Sequence, residues 1–462
     1  MSTPLPPRLA ERLRPLRTRP TDPAEKGTGL LSALTKGGLT AAGLAAARPR
    51  LHEAGFTYPL LTLRDSALEQ NLAAMAAFCA AAGVELAPHG KTAMSPELAA
   101  RQLAHGAWGI TVATIGQLHT YRTFGFPRLL LANQLLDEAG TGWLAGELDA
   151  DPGFEAFCYV DSPEGVARLD RVLTARRARR RLPVLVEIGH DGGRTGCRTD
   201  EQALAVAKAA AATSTLAIAG AAGYEGTISA PDQAATEAAV AAFCRRLRAL
   251  AGQLAAMPEP ALFRPAGPGP GAGGLIVTAG GSAYFDVVTR ELTAAGAPAG
   301  PGPGGGGPGG RVTAVLRSGA YLTYDHGFYG TVSPAGRGAA GAPALRPALE
   351  LWAQVLSRPE PGLALLGAGR RDAGFDQGLP VPLRAIRDGA AGHPAGQALL
   401  AGEITELNDQ HAYLRLDPGT PLAPGDLVSL GISHPCTTLD KWRIIPVLDD
   451  GDRVIDAVHA YF

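Results

Sequence analysis

An alternation constrains this chain more than any other feature. From Tyr58 to about Ser282, short apolar runs of strand length are separated by Ala- and Leu-rich stretches of helical length. The runs are Leu60–Leu63, Val84–Ala87, Gly109–Val112, Leu129–Ala132, Phe157–Val160, Val184–Ile188, Leu216–Ala219 and Ile276–Thr278. Helical stretches such as Asp65–Ala81 and Ala234–Ala255 lie between them. Asp65 and Ser95 suit helix N-caps, and Pro96 suits a first helical position, where its missing N–H costs nothing. Strands that alternate with helices predict an α/β fold, a parallel (β/α)8 TIM-type barrel, with a doubly wound sheet as the rival pattern.

Two Pro/Gly-rich tracts follow, Pro265–Gly274 and Ala295–Gly310, whose composition buries too little apolar surface to order itself. Beyond them the runs Val312–Val315, Leu351–Leu356, Gln397–Ile404, Ala412–Leu416, Leu427–Ile432 and Trp442–Val447 are short, turn-bounded and β-like. The expected organisation is an N-terminal extension over residues 1–50 packing on a β domain, a barrel over 51–310, and a C-terminal antiparallel β domain over 311–462. Of the 462 residues, 46% are hydrophobic, enough for a large core and a second domain. The net charge of −1 gives no basic field to hold nucleic acid. Cys79, Cys158, Cys197, Cys244 and Cys436 are odd in number, widely spaced and without a CxxC pair, which argues against both a disulfide framework and a structural zinc cluster. Met1–Pro23 lacks the apolar stretch of a signal or a membrane span, so a cytoplasmic protein without membrane partners is expected.

Five runs could carry chemistry. Pro88-His89-Gly90-Lys91-Thr92 ends the second apolar run, and strand C-termini face the active site of a (β/α) barrel. A lysine partly desolvated there, beside other cations, is a competent amine for imine formation; the competing reading is a solvated surface lysine. Thr278-Ala279-Gly280-Gly281-Ser282 ends the last run, where paired glycines bring N–H groups to an anion and Ser282 adds a hydroxyl; a plain turn is the alternative. Glu187-Ile188-Gly189-His190-Asp191-Gly192-Gly193-Arg194 delivers a guanidinium that cannot give up its proton, or one that caps a helix or bridges to Asp191. Gly223-Tyr224-Glu225-Gly226 offers Tyr224 as a hydrogen-bond donor or as a structural ring. In Ser433-His434-Pro435-Cys436, His434 and Cys436 would share one face of an extended strand. Imidazole and thiolate are good zinc ligands, and a pair suits an open site; a buried cysteine beside a surface histidine is the alternative. Tyr321, Asp325 and His411 are further polar candidates, with turn or loop roles equally open.

Together these runs resemble the D-threonine aldolase / D-serine dehydratase family, the fold-type III pyridoxal-phosphate enzymes related to alanine racemase. The resemblance covers residues 57 to 462 in order: Tyr58-Pro59-Leu60-Leu61, Pro88-His89-Gly90-Lys91-Thr92, Gly189 to Gly196 with a turn two residues longer than usual, Tyr224-Glu225-Gly226, Gly280-Gly281-Ser282, and His434-Pro435-Cys436. It implies that Lys91 holds pyridoxal 5'-phosphate as a Schiff base and that Arg194 faces the pyridine nitrogen. It also implies that Gly280, Gly281 and Ser282 take the phosphate, with His89 and Tyr224 as further cofactor contacts and Thr92 beside them. His434 and Cys436 would bind Zn2+ or another divalent metal. Histidine with cysteine, rather than aspartate, tilts the resemblance toward a dehydratase.

The reaction expected is dehydration and deamination of a D-β-hydroxy amino acid, D-serine-like, to a 2-keto acid and ammonia. A retro-aldol cleavage to glycine and an aldehyde is the main rival. A racemase needs no metal, and a non-catalytic pyridoxal-phosphate homeostasis protein would lack the β domain. The small-molecule D-amino acid is the expected partner, with a homodimer by analogy.

Overall fold

The computed structural model describes residues 3–22, 26, 40–52, 55–257, 262–263, 274–294, 312–387 and 396–462. Most of both Pro/Gly tracts lies outside them. The chain divides into two compact units, one of Met1–Leu9, Met75–Lys91 and Gln102–Gly319, the other of Ala10–Ala74, Thr92–Arg101 and Ala320–Phe462.

The first unit is built on eight parallel strands. With β1 at Leu60–Arg64, they are β2 (Glu85–Leu86), β3 (Ile110–Val112), β4 (Arg128–Gln134), β5 (Glu155–Val160), β6 (Leu182–Ile188), β7 (Leu216–Gly223), β8 (Leu275–Ala279) and β9 (Val312–Leu316). They run in the order β2-β9-β8-β7-β6-β5-β4-β3. The two end strands meet: His89 bridges Thr111 in parallel, Trp108 N–H donates to the Leu86 carbonyl at 2.7 Å and Thr111 N–H to that of Pro88 at 2.9 Å. The curled sheet wraps a core of Ala87, Leu130, Phe157, Tyr159, Leu185, Ala219, Ala222, Ile276 and Val315. Every residue of β5, β6, β7, β8 and β9 is buried. That double-faced burial is why these strands read as continuous apolar runs.

Two strands differ from the sequence expectation. β1, which reads as the first barrel strand, instead joins the second unit's sheet, antiparallel to Leu349–Glu360 and parallel to Ile444–Leu448. β9, which reads as the start of the β domain, pairs with β8 and β2 and supplies the barrel's eighth strand. An apolar run states that a strand is buried, not which sheet buries it.

The second unit contains a ten-stranded, mostly antiparallel sheet including β1 and Leu349–Glu360, Val381–Arg387, Leu427–Gly431, Ile444–Leu448 and Val454–His459. Ala41 and Leu44, on the helix Ala41–Ala47, are buried with Trp352, Ile444, Leu448 and Val454. Among the described residues no helix is long and apolar enough to cross a membrane.

In the barrel, Val184 pairs with Ile218 but Leu185 pairs with Gly220, so Ala219 is an extra residue, a bulge that bends β7. Gly220 has φ of +146°, and a Cβ there would lie 1.8 Å from the Ile276 carbonyl oxygen on β8. Gly220→Ala should therefore destabilise the apoprotein by at least about 3 kcal/mol in denaturant unfolding, since the obstacle is backbone and cannot move aside. A change under about 0.5 kcal/mol would contradict this packing.

Candidate active site

The ladder between β2 and β9 continues past both strands. Ala87 N–H donates to Leu316 O at 2.8 Å and His89 N–H to Arg317 O at 3.1 Å. A Cβ on Gly319 would come 2.5 Å from the His89 carbonyl oxygen, so glycine permits this approach of the two segments. His89 and Arg317 are thereby fixed side by side at the C-terminal end of the barrel strands. Lys91 follows on a single 3-10 turn, Gly90–Thr92. Tyr121 underlies that turn: its hydroxyl donates to Gly90 O at 2.9 Å, and a Cβ at Gly90 would meet the ring oxygen at 2.6 Å.

Charge converges here. Burial holds the His89 imidazole neutral, with its pKa well below the ordinary histidine value, and the cations Lys91, Arg317 and Arg194 push the same way. His89 Nδ1 is sealed from solvent and has no hydrogen-bond partner. Arg317 is 3% exposed. Its Nη1 donates to Thr278 Oγ1 at 2.7 Å and its Nη2 to the Gly223 carbonyl at 2.6 Å, while its Nε is buried and unpartnered. Tyr159, on β5, has a buried hydroxyl without a partner. Burial raises that phenol's pKa, and Arg317, Glu187, Arg194 and Glu225 all act on it. Glu187, 5% exposed, accepts from Gln134 Nε2 at 2.6 Å and Thr195 Oγ1 at 3.1 Å; burial raises its pKa. Unpartnered buried donors and acceptors normally cost free energy. Three of them at one strand end mark a place built for a polar group, and a substituted pyridine with an aldehyde and a phosphate fits that donor set.

The expected residues fare differently. Lys91 and Arg194 are exposed. The Arg194 guanidinium lies 4.3 Å over the Tyr224 ring, a cation–π contact. The buried guanidinium at the barrel end is Arg317, which has no motif around it in the sequence. Gly280 and Gly281 do present their N–H groups to an anion, but that anion is Glu225, whose oxygens accept from them at 3.1 and 2.6 Å. Ser282 follows, partly buried, ahead of the helix Phe285–Thr293.

In the second unit, His434 and Cys436 are not on a strand. Pro435 has helical φ and ψ and caps the short helix Cys436–Leu439, so a turn, not alternation, sets the two side chains. They are nonetheless brought together. Contact with the Cys436 sulfur is the first cause that raises the His434 pKa to about 9; burial opposes it and Asp376 adds to it. His434 Nδ1–H donates to Asp376 Oδ2 at 2.8 Å, and Thr437 Oγ1 donates to Asp376 Oδ1 at 2.6 Å. A carboxylate on Nδ1 leaves Nε2 as the ligating nitrogen, the usual arrangement around a metal-bound histidine. Imidazole nitrogen with sulfur is a donor set that suits zinc. Cys436 Sγ also lies 3.4 Å from Thr92 Oγ1. Among the described residues no larger His, Cys, Asp or Glu group has metal-site geometry.

Asp325 takes a turn role. Its oxygens accept from Gly327, Tyr329 and Gly330 N–H, and burial lifts its pKa to about 6. Tyr321 is buried and His411 exposed. Asp376, Tyr159 and Arg317 had no sequence signal beyond their residue type.

His434 carries a testable sign. Its folded pKa lies above the ordinary 6.5, so the stability from its pairing is complete below that value and is lost as pH rises through about 9. NMR titration of the metal-free protein should give that midpoint. Cys436→Ala should lower it more than Asp376→Asn does. A wild-type midpoint at 6.5 would contradict the contact.

The chain is similar to known proteins over most of its length. Residues 63–262 match the alanine racemase N-terminal domain, and residues 348–448 match a putative serine dehydratase domain. D-threonine aldolase of Arthrobacter sp is 27% identical over 397 residues, 85% of this chain and 89% of that protein. 3-Hydroxy-D-aspartate aldolase of Paracoccus denitrificans (strain Pd 1222) is 28% identical over 183 residues, 39% of this chain and 46% of that protein. Among solved structures, D-threonine aldolase from Filomicrobium marinum superposes with a TM-score of 0.66 at 23% identity, over 88% of this chain and 95% of its own. D-threo-3-hydroxyaspartate dehydratase from Delftia sp. HT23 gives 0.64 at 20% identity, over 88% and 98%; a cysteine-to-alanine mutant of a D-threo-3-hydroxyaspartate dehydratase is recorded in a metal-free form. Residues 63–262 and 348–448 are thus similar to an alanine racemase N-terminal domain and a putative serine dehydratase domain, in that order, and 85% of the chain is similar to D-threonine aldolase.

Proposed function

We propose that this protein is a pyridoxal 5'-phosphate-dependent lyase that dehydrates and deaminates a D-β-hydroxy amino acid, with a 2-keto acid and ammonia as products. The observation that carries the reading is the barrel-end cluster: a neutral His89 with a sealed, unpartnered Nδ1, ringed by Lys91, Arg317 and Arg194. The names of the relatives, aldolases and dehydratases of D-amino acids, support the substrate class.

Each residue then has a task. Lys91 is the amine that would hold the cofactor aldehyde and would take the proton from the substrate α-carbon. Arg317 supplies a guanidinium at the barrel end. Tyr159 offers a hydroxyl that is ordered and has no other partner. The cofactor, when bound, withdraws electrons from the α-carbon. His434 and Cys436 are the residues that would hold a divalent metal, and Asp376 and Thr437 would orient His434 for it. Such an ion supplies Lewis-acid polarisation of a hydroxyl. Cys436 is the residue that favours dehydration. The match to D-threonine aldolase across 85% of the chain favours a second reading, retro-aldol cleavage.

A panel of D-serine, D-threonine and D-3-hydroxyaspartate, run with and without a chelator, separates the readings. The proposal predicts keto acid and ammonia, with activity falling at least about tenfold on metal removal and returning with zinc. Glycine with an aldehyde would establish the aldolase instead. Activity unchanged by chelation would contradict the metal role. Bound cofactor with no turnover of any substrate would overturn the enzyme reading.

A further inference from the structure

Glu225 is 0% exposed, yet it is a carboxylate at a strand end proposed to receive a phosphate. Two like charges there need a reason. Glu225 supplies it by satisfying both N–H groups of the Gly280-Gly281 turn, at 3.1 and 2.6 Å. On the other side of the same turn, Ser318 Oγ lies 3.1 Å from the Gly280 carbonyl and 3.2 Å from that of Gly281. The glycines are required by this clamp. Gly280 has φ of +101°, and a Cβ on Gly281 would lie 2.9 Å from the Tyr224 ring and 3.3 Å from Glu225 Oε1. The turn's backbone is therefore held on both sides before any ligand is considered. What comes next in the chain is Ser282, and then the helix Phe285–Thr293, whose first turn has no side-chain cap. A helix N-terminus favours anions through its N–H groups and dipole.

We infer that Glu225, together with Ser318, is a positioning residue for the cofactor phosphate: it clamps the Gly280-Gly281 turn so that the phosphate is taken at Ser282 and the start of the following helix, not by the two glycine N–H groups. This inference rests on the cofactor reading above. Because the Glu225 side chain is hydrogen-bonded to the turn, its loss should act chiefly on the phosphate.

The test compares two ligands that differ by that group, pyridoxal 5'-phosphate and pyridoxal, titrated into the apoprotein of wild type, Glu225→Gln and Ser318→Ala and read by imine absorbance. Glutamine keeps one acceptor but leaves one buried glycine N–H without a partner, so the phosphorylated ligand should bind about tenfold or more weakly. Pyridoxal affinity should stay within about twofold. Ser318→Ala should show the same selective loss to a smaller degree, and it decides the matter if Glu225→Gln does not fold. Equal weakening of both ligands, unchanged binding of both, or tighter binding of the phosphorylated ligand would each overturn the inference. Wild type binding neither compound would overturn the cofactor reading itself, a result separate from the others.

Discussion

Three cations, Lys91, Arg317 and Arg194, act on one imidazole whose buried Nδ1 has no partner. That convergence depends on a short piece of backbone. The hydrogen bond from His89 N–H to Arg317 O extends the β2–β9 ladder past both strands, and Gly319 lets the segments close on each other. Because β2 is only Glu85–Leu86, the chain leaves the sheet almost at once and enters the turn that bears Lys91. A longer strand would carry the lysine further along the sheet. The position of Lys91 thus follows from where one parallel strand stops.

The carboxylates near this cluster are each held by donors. Glu187 is met by Gln134 and Thr195, and Glu225 by the glycine turn. Each of these carboxyl groups is thus positioned by neutral donors. In the second unit the same logic recurs with a smaller cast: Asp376 is held by Thr437 and in turn holds His434 Nδ1. In both places a side chain suited to ligand chemistry is oriented by one that is not.

Much of the parallel sheet was legible, because strands buried on both faces read as apolar runs whatever surrounds them. The place of Lys91 just past such a run was legible too. The sheet to which a run belongs was not: β1 and β9 exchanged roles, since pairing partners are set by topology across hundreds of residues. A Pro/Gly tract ahead of β9 also made it look like the start of something new. Arg317 was invisible because it is one arginine among many, and its importance comes from burial, which no local pattern encodes. The Gly280-Gly281 turn was read as a phosphate turn; the contact of its N–H groups with Glu225 was not legible, since Glu225 lies 55 residues away from Gly280. His434 and Cys436 were read as neighbours on one strand face, and they do not lie on a strand. A spacing of two brings side chains together in a strand, but here the turn around Pro435 does so.

The account stands on Lys91 as the covalent anchor of the cofactor. Borohydride reduction of the protein loaded with pyridoxal 5'-phosphate, followed by peptide mapping, tests that directly. The account predicts one labelled peptide, modified at Lys91. Label on Lys26, Lys36, Lys208 or Lys441, or on no lysine, would contradict it.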